Sequence, residues 1–188
     1  MKKDLYIDCD GVILDTIVMA FSEMELLGID TSNELEIDKY FQNVNWKDLI
    51  ERSGEINDSC RKIIALSDSN IFRNVAVLTH HCSYNEGKIK KDEFDKSLPN
   101  IQVFNVPKKI PKHFAVKANN NILVDDSKEK IIGWVNAGGI GVLFKKNIER
   151  FTCPSYDVPY FIINDLNDLI FVNNIINEYQ KSMKVKRR

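Results

Sequence analysis

The sequence has little of what usually makes a function class obvious. Only four of its 188 residues are cysteines. Cys9, Cys60, Cys82 and Cys153 are scattered, and no two are spaced as CxxC. That argues against a zinc site and fits reduced thiols in a cytoplasm. No apolar run approaches the ~18 residues needed to span a bilayer. The first apolar stretch, Leu5 to Ile7, stops at Asp8 and Asp10, so the apolar region of a secretory signal is missing. Neither sign of charge dominates: 26 Lys and Arg face 27 Asp and Glu, a net charge of -1. Nothing therefore directs the chain as a whole to nucleic acid or to an anionic membrane. Only Lys184-Val185-Lys186-Arg187-Arg188 is locally basic, and it reads as a solvated terminus. There is no internal repeat and no true low-complexity tract.

What the chain does have is an ordinary globular composition, 44% hydrophobic and 28% charged. It is long enough to bury a core without staples. Five short apolar runs read as strands buried on both faces: Leu5 to Ile7, Val75 to Leu78, Ile101 to Phe104, Ile122 to Val124, and Ile140 to Phe144. Tyr160 to Ile163 is a weaker sixth. Helical patterns lie between them, over Asn85 to Ser97, Ser127 to Ala137 and Asp165 to Tyr179. Ser83 and Ser127 are positioned as caps, and Gly138-Gly139 closes the second helix. Strands alternating with helices imply βαβ units and a parallel sheet. The expected fold is α/β, with a Rossmann-like parallel core formed by residues 1–14 and 74–188.

The segment between the first two strands breaks that rhythm. From residue 15 to residue 73 the apolar spacing is helical (Ile17, Ala20, Phe21, Met24, Leu27, then Ile63, Ile64, Leu66), with Gly28 and Gly54 as punctuation. This is a helical insertion of roughly 60 residues. It would form a small cap over the carboxyl edge of the sheet, where α/β proteins bind ligands.

The chemistry concentrates at strand ends. Asp8-Cys9-Asp10-Gly11-Val12 places two carboxylates after the first strand. Both are costly to bury unless a cation compensates, and magnesium suits a site with few protein carboxylates. Asp8 can attack phosphorus to form an aspartyl-phosphate. Asp10 can protonate the leaving oxygen and later activate water. Gly11 permits a sharp turn, and a plain Asp-Gly turn is the competing reading. Asp125-Asp126 follows the fourth strand; the two acids repel unless a metal or hydrogen bonds hold them, and Asp126 could instead cap the next helix. Thr79 follows Leu78 at the end of the second strand and can donate to a phosphate oxygen. A phosphoryl site also needs a fixed cation. Lys112, just after Pro111 at a helix start, is better placed than Lys117, which falls later and faces solvent. Cys9 lies between two acids, which disfavours its thiolate.

Taken together, the order Asp-x-Asp-Gly-Val, Thr, Lys, Asp-Asp resembles the haloacid-dehalogenase-like (HAD) superfamily of phosphohydrolases. The resemblance rests on Asp8 to Thr16, Val77-Leu78-Thr79 and Ile122 to Ser127. Gly133-Trp134 and Ala137 to Phe144 are similar to the branch of 5′(3′)-deoxyribonucleotidases. It covers about Lys3 to Asn147. It implies Asp8 as nucleophile, Asp10 as acid and base with its carbonyl on Mg2+, and Asp125, with Asp126, completing the metal site. Thr79 and Lys112 would hold the phosphoryl group. The partner implied is a small phosphorylated substrate, with no nucleic acid and no membrane. His80 and His81 could contact that substrate, or could be one packed and one solvated histidine. Phe21, Tyr40, Phe41 and Trp46 could stack on a base, or form the cap's own core. Trp134 reads as packing. A phosphotransferase or a non-catalytic phospho-ligand module would carry the same groups. A phospho-receiver module also combines carboxylates, Thr and Lys on an α/β sheet, but there the paired acids end the first strand, the phosphorylated Asp comes later, and the long helical insertion has no place.

Overall fold

The structure is a computed structural model that describes residues 2–148, 151–155 and 157–185, with side chains to Ser182. Six strands form one wholly parallel sheet: β1 (Asp4–Ile7), β2 (Asn74–His81), β3 (Gln102–Pro107), β4 (Ile122–Asp125), β5 (Ile140–Phe144) and β6 (Phe161–Ile163). Their spatial order is β3-β2-β1-β4-β5-β6. The helices are α1 (Thr16–Leu26), α2 (Glu34–Asn43), α3 (Trp46–Ser53), α4 (Ser59–Asp68), α5 (Tyr84–Ser97), α6 (Lys112–Ala115), α7 (Lys128–Asn136) and α8 (Asp168–Val185). The basic terminus from Lys186 lies outside the described residues. None of the described helices is long and apolar enough to cross a membrane.

The strands lack a polar face because both faces of the sheet are covered. Alternate residues go to opposite cores. Leu5, Ile7, Val75, Val77, Ile122, Val124, Val142 and Phe144 join one cluster with Phe94 of α5 and Leu169 and Val172 of α8. Tyr6, Ala76, Leu78, Leu123 and Leu143 join the other with Ile131 and Trp134 of α7. β1 sits at the centre, paired with β2 through Leu5↔Val75 and with β4 through Tyr6↔Leu123. Successive strands step one way from β1 to β3 and the other way from β4 to β6. The reversal opens a crevice past the carboxyl ends of β1 and β4, the usual ligand position in such sheets.

The insertion divides in two. Ala20, Met24, Tyr40, Trp46 and Leu49 of α1–α3 make a small core of their own. Ile63 and Leu66 of α4 instead join the main core beside β2. α4 thus packs in the sheet's helical layer, α3 bridges the two cores through Ile50 and Leu49, and Ile17, Phe41 and Trp46 of α1–α3 reach the crevice.

Trp134 fixes α7 against the sheet. It is buried, its indole N–H donates to the Asn121 carbonyl (3.0 Å), and its ring meets Tyr6 edge-on at 5.6 Å. A Cβ on Gly139 would collide with the indole, so glycine lets β5 pass this close. Trp134→Ala is expected to cost about 3–5 kcal/mol. Urea unfolding should show this as a lower midpoint with an unchanged slope.

Candidate active site

The loop after β1 is folded by its own backbone. The Cys9 carbonyl accepts from Val12, Ile13 and Leu14 N–H groups, and Gly11 N–H donates to the Leu14 carbonyl (2.8 Å). Gly11 has φ +76°, and a Cβ there would overlap the Asp126 carboxylate. Glycine is therefore required twice, for the turn and for the close approach of the two acidic loops. The Asp8 N–H donates to the Val124 carbonyl (2.9 Å), tying the end of β1 to β4. Cys9 is buried in the main core. Burial, then Asp10, push its thiol well above the usual range, so it stays protonated.

Asp8, Asp125 and Asp126 present carboxylate oxygens within 4.8 Å of one another. Lys112 lies between the first two, its Nζ 2.8 Å from Asp8 Oδ1 and 2.6 Å from Asp125 Oδ2. Its contact with Asp125 is a hydrogen bond; with Asp8 Oδ1 it forms an ion pair, and that buried oxygen has no hydrogen-bond partner. Asp125 Oδ1 accepts from the Ser127 N–H (2.9 Å). Ser127, not Asp126, caps α7. Lys117 is exposed and takes no part; its carbonyl accepts from the Asn121 amide.

Two lysines complete the site that the strand-end motifs do not announce. Lys130 of α7 places Nζ 3.4 Å from Asp8 Oδ2 and 3.6 Å from Asp125 Oδ1. Lys90 of α5 is wholly buried, with Nζ 2.5 Å from Asp10 Oδ2, 2.6 Å from Glu86 Oε1 and 3.2 Å from the His80 carbonyl. Lys90 Nζ also lies 4.5 Å from the centre of the Trp46 ring. The other Asp10 oxygen accepts from Thr16 Oγ1 (2.7 Å), at the start of α1. A signal for each lysine existed: Lys90 stands four residues after Glu86 on one helix face, and Lys130 is a cation in the first turn of a helix, where it opposes the dipole.

The electrostatics separate the carboxylates. Burial alone would raise the Asp8 carboxyl, but Lys112 and then Lys130 outweigh it and hold Asp8 below the usual carboxylate range. Burial, then Asp8, push Asp125 up against the pull of the same lysines. Burial, Asp8 and Asp125 push Asp126 up to about 7. Lys130 is raised: burial would lower it, but Asp8 and Asp125 prevail. A divalent cation suits this set. Three carboxylates converge, and a buried Asp8 oxygen lacks a hydrogen bond. These oxygens are hard ligands of the kind magnesium takes.

The remaining expected residues fall into place unevenly. β2 continues past Leu78 to His81, so Thr79 lies inside the strand, opposite Asn105, rather than at its end. Thr79 is fully buried, and its hydroxyl donates to the His80 carbonyl (3.2 Å). A cleft of about 190 Å³ runs between cap and core, lined by Asp10, Phe41, Trp46, His80, Asp126 and Lys130, among others. Phe41 and Trp46 stack there (5.8 Å, 20°). Phe21 and Tyr40 do not reach it; they line other hollows on the cap. Those hollows are larger, about 650 and 890 Å³, but contain none of the carboxylates of the cluster.

With this geometry established, comparison with known proteins gives the fold class. The chain shares the fold of HAD-superfamily hydrolases. A subfamily IA hydrolase of Geobacter sulfurreducens superposes with a TM-score of 0.57 at 15% identity, covering 92% of this chain and 100% of that one. YfnB of Bacillus subtilis, described as a HAD-hydrolase bound to magnesium, gives 0.59 at 15% identity, covering 92% and 99%. The D,D-heptose 1,7-bisphosphate phosphatase of Burkholderia thailandensis gives 0.53 at 16% identity, covering 91% and 99%. No protein-family model matches the sequence, and no curated protein does.

His80 provides a test of the site's field. Its Nε2 contacts the Ile110 carbonyl at 3.0 Å. Burial, then Lys112, lower its pKa from 6.5 to about 4. The unfolded chain then binds the extra proton between those values, so this contribution to stability is full above about pH 6.5 and is lost as the pH falls towards about 4. Imidazole resonances followed by NMR should titrate near about 4; a midpoint near 6.5 would show that neither burial nor the lysines act on the ring as this geometry requires.

Proposed function

We propose that the protein is a magnesium-dependent phosphatase of small phosphomonoesters that works through an aspartyl-phosphate on Asp8. One observation carries this reading. A buried carboxylate is kept ionised between Lys112 and Lys130, with a second carboxylate two residues on at the cleft. An ionised, poorly hydrated carboxylate facing fixed cations is a suitable nucleophile for phosphorus.

In the first step an Asp8 oxygen forms a bond to phosphorus as the ester P–O bond breaks. Protonated Asp10 gives its proton to the leaving alkoxide. In the second step water attacks phosphorus, Asp10 takes its proton, and the Asp8–phosphorus bond breaks. This frees inorganic phosphate and regenerates Asp8. Between the two steps, when Asp10 is ionised, Lys90 and Thr16 orient its carboxylate. Lys112 offsets the charge around Asp8 and Asp125. Mg2+, held by Asp8, Asp125 and Asp126 with the Asp10 carbonyl, would supply electrophilic stabilisation of the phosphoryl oxygens.

The stacked Phe41 and Trp46 beside His80 make a nucleoside monophosphate, in particular a deoxynucleotide, a reasonable member of the substrate class. The cleft of about 190 Å³ is smaller than the roughly 300–1,000 Å³ of most ligand pockets, so such a substrate requires the cap to open. A phosphotransferase would use the same covalent step with an alcohol in place of water. Four free thiols suit a reducing, cytoplasmic setting.

Release of inorganic phosphate from a panel of nucleoside, sugar and aryl phosphates, with and without Mg2+ and an alcohol acceptor, tests this reading. Asp8→Asn should lower release at least about a thousandfold while the fold is kept. Retained activity in Asp8→Asn, or full activity in chelator, would contradict it.

A further inference from the structure

Lys130 is an unexpected residue for its position. It stands in the first turn of α7, where the helix N-terminus already carries positive partial charge. Its own N–H is used by the Ser127 cap (3.5 Å). What holds the side chain is therefore not the helix but the acids across the crevice. Lys130 approaches Asp8 Oδ2 and Asp125 Oδ1, while Lys112 holds the opposite oxygen of each, Asp8 Oδ1 and Asp125 Oδ2.

The two lysines are not equivalent. The Lys112 side chain is 3% exposed and makes contacts of 2.8 and 2.6 Å. That of Lys130 is 33% exposed, its contacts are 3.4 and 3.6 Å, and it lines the cleft. Moving Lys112 would leave buried acids without a partner. Moving Lys130 is cheap, because water and the cleft are at hand. A divalent cation held by Asp8, Asp125 and Asp126 would add positive charge to the cluster that Lys130 already faces, and would repel its ammonium group at close range.

We propose that Lys130 is an exchangeable counter-cation: it neutralises the Asp8–Asp125–Asp126 cluster before metal binds, and metal displaces it into the cleft, where it binds the substrate's phosphoryl oxygens. The second half rests on the phosphatase reading above. The exchange has two consequences. Lys130 weakens metal binding, and metal strengthens phosphate binding by freeing a cation for it, with the coupling reciprocal between the two ligands.

Calorimetric titration of the full chain with Mg2+, alone and with inorganic phosphate, tests the exchange. Lys130→Met and Lys130→Gln should both bind Mg2+ roughly tenfold or more tightly than the unmodified chain. In both, phosphate should no longer strengthen Mg2+ binding. Without metal both should melt lower than the unmodified chain and recover on adding Mg2+. Lys128→Met, an exposed charge loss two residues earlier, should change none of these. Equal or weaker Mg2+ binding in both Lys130 variants overturns the exchange, as does an equal gain in Lys128→Met or an absence of Mg2+ binding in every form. The two readings fail separately. Phosphate release without tighter Mg2+ binding in the Lys130 variants keeps the phosphatase and removes the exchange. Tighter binding and lost coupling without phosphate release does the reverse.

Discussion

The buried meeting of Asp8, Lys112 and Asp125 is the constraint on which the rest of the structure depends. All three side chains are almost completely removed from solvent. Isolated charges there would cost several kcal/mol each, so the chain must bring opposite charges to the same point. The parallel sheet does so. Asp8 follows β1 and Asp125 ends β4, the two strands that meet where the strand order reverses. α6 is a single turn, and its first residue supplies the lysine between them. The Asp8 N–H bond to the Val124 carbonyl fixes the spacing, and Gly11 lets the Asp126 loop close over it.

A second network joins this centre to the cap. Lys90 binds Asp10 and Glu86 from the core and sits against the ring of Trp46 in α3. Thr16 of α1 binds the same aspartate. The cap thus touches Asp10 directly through Thr16 and indirectly through Trp46, by way of Lys90. Two outer ion pairs also cross between cap and core, Lys108 with Asp38 and Lys146 with Asp15 (2.6 Å each). The first is exposed on both sides and the second on the lysine side, and such pairs contribute little to stability. Breaking them would cost at most about 1 kcal/mol each. The inner contacts reach Asp10 itself, so cap position and the orientation of Asp10 are linked.

Much of this was legible in the sequence because it depends on local pattern. Strands buried on both faces leave short β-branched runs, and β1, β4 and β5 fall where those runs stand. Acids after such runs mark strand ends, and Asp8, Asp125 and Asp126 do converge. Pro111 before Lys112 distinguishes it from Lys117, which faces solvent. What escaped was set by tertiary contact. β2 extends through Thr79 and two histidines because they pair with Asn105, Val106 and Pro107, and the histidines carry no strand signal of their own. α4 shares the helical spacing of the rest of the insertion, yet Ile63 and Leu66 pack in the main core beside the sheet. Lys90 and Lys130 reach the site along flexible stems from helices, and no strand-end motif points to them.

The central claim, that phosphate is carried on Asp8, is tested most directly by trapping the intermediate. The protein would be mixed with a substrate identified by phosphate release, stopped rapidly, and treated with borohydride, which reduces an aspartyl-phosphate but not a free carboxylate. Peptide mass spectrometry should then place the reduced residue at position 8, in amounts that rise with the fraction of enzyme in turnover. Reduction at Asp10 or Asp125 instead, or phosphate release with no reduced aspartate at any time, would contradict the account.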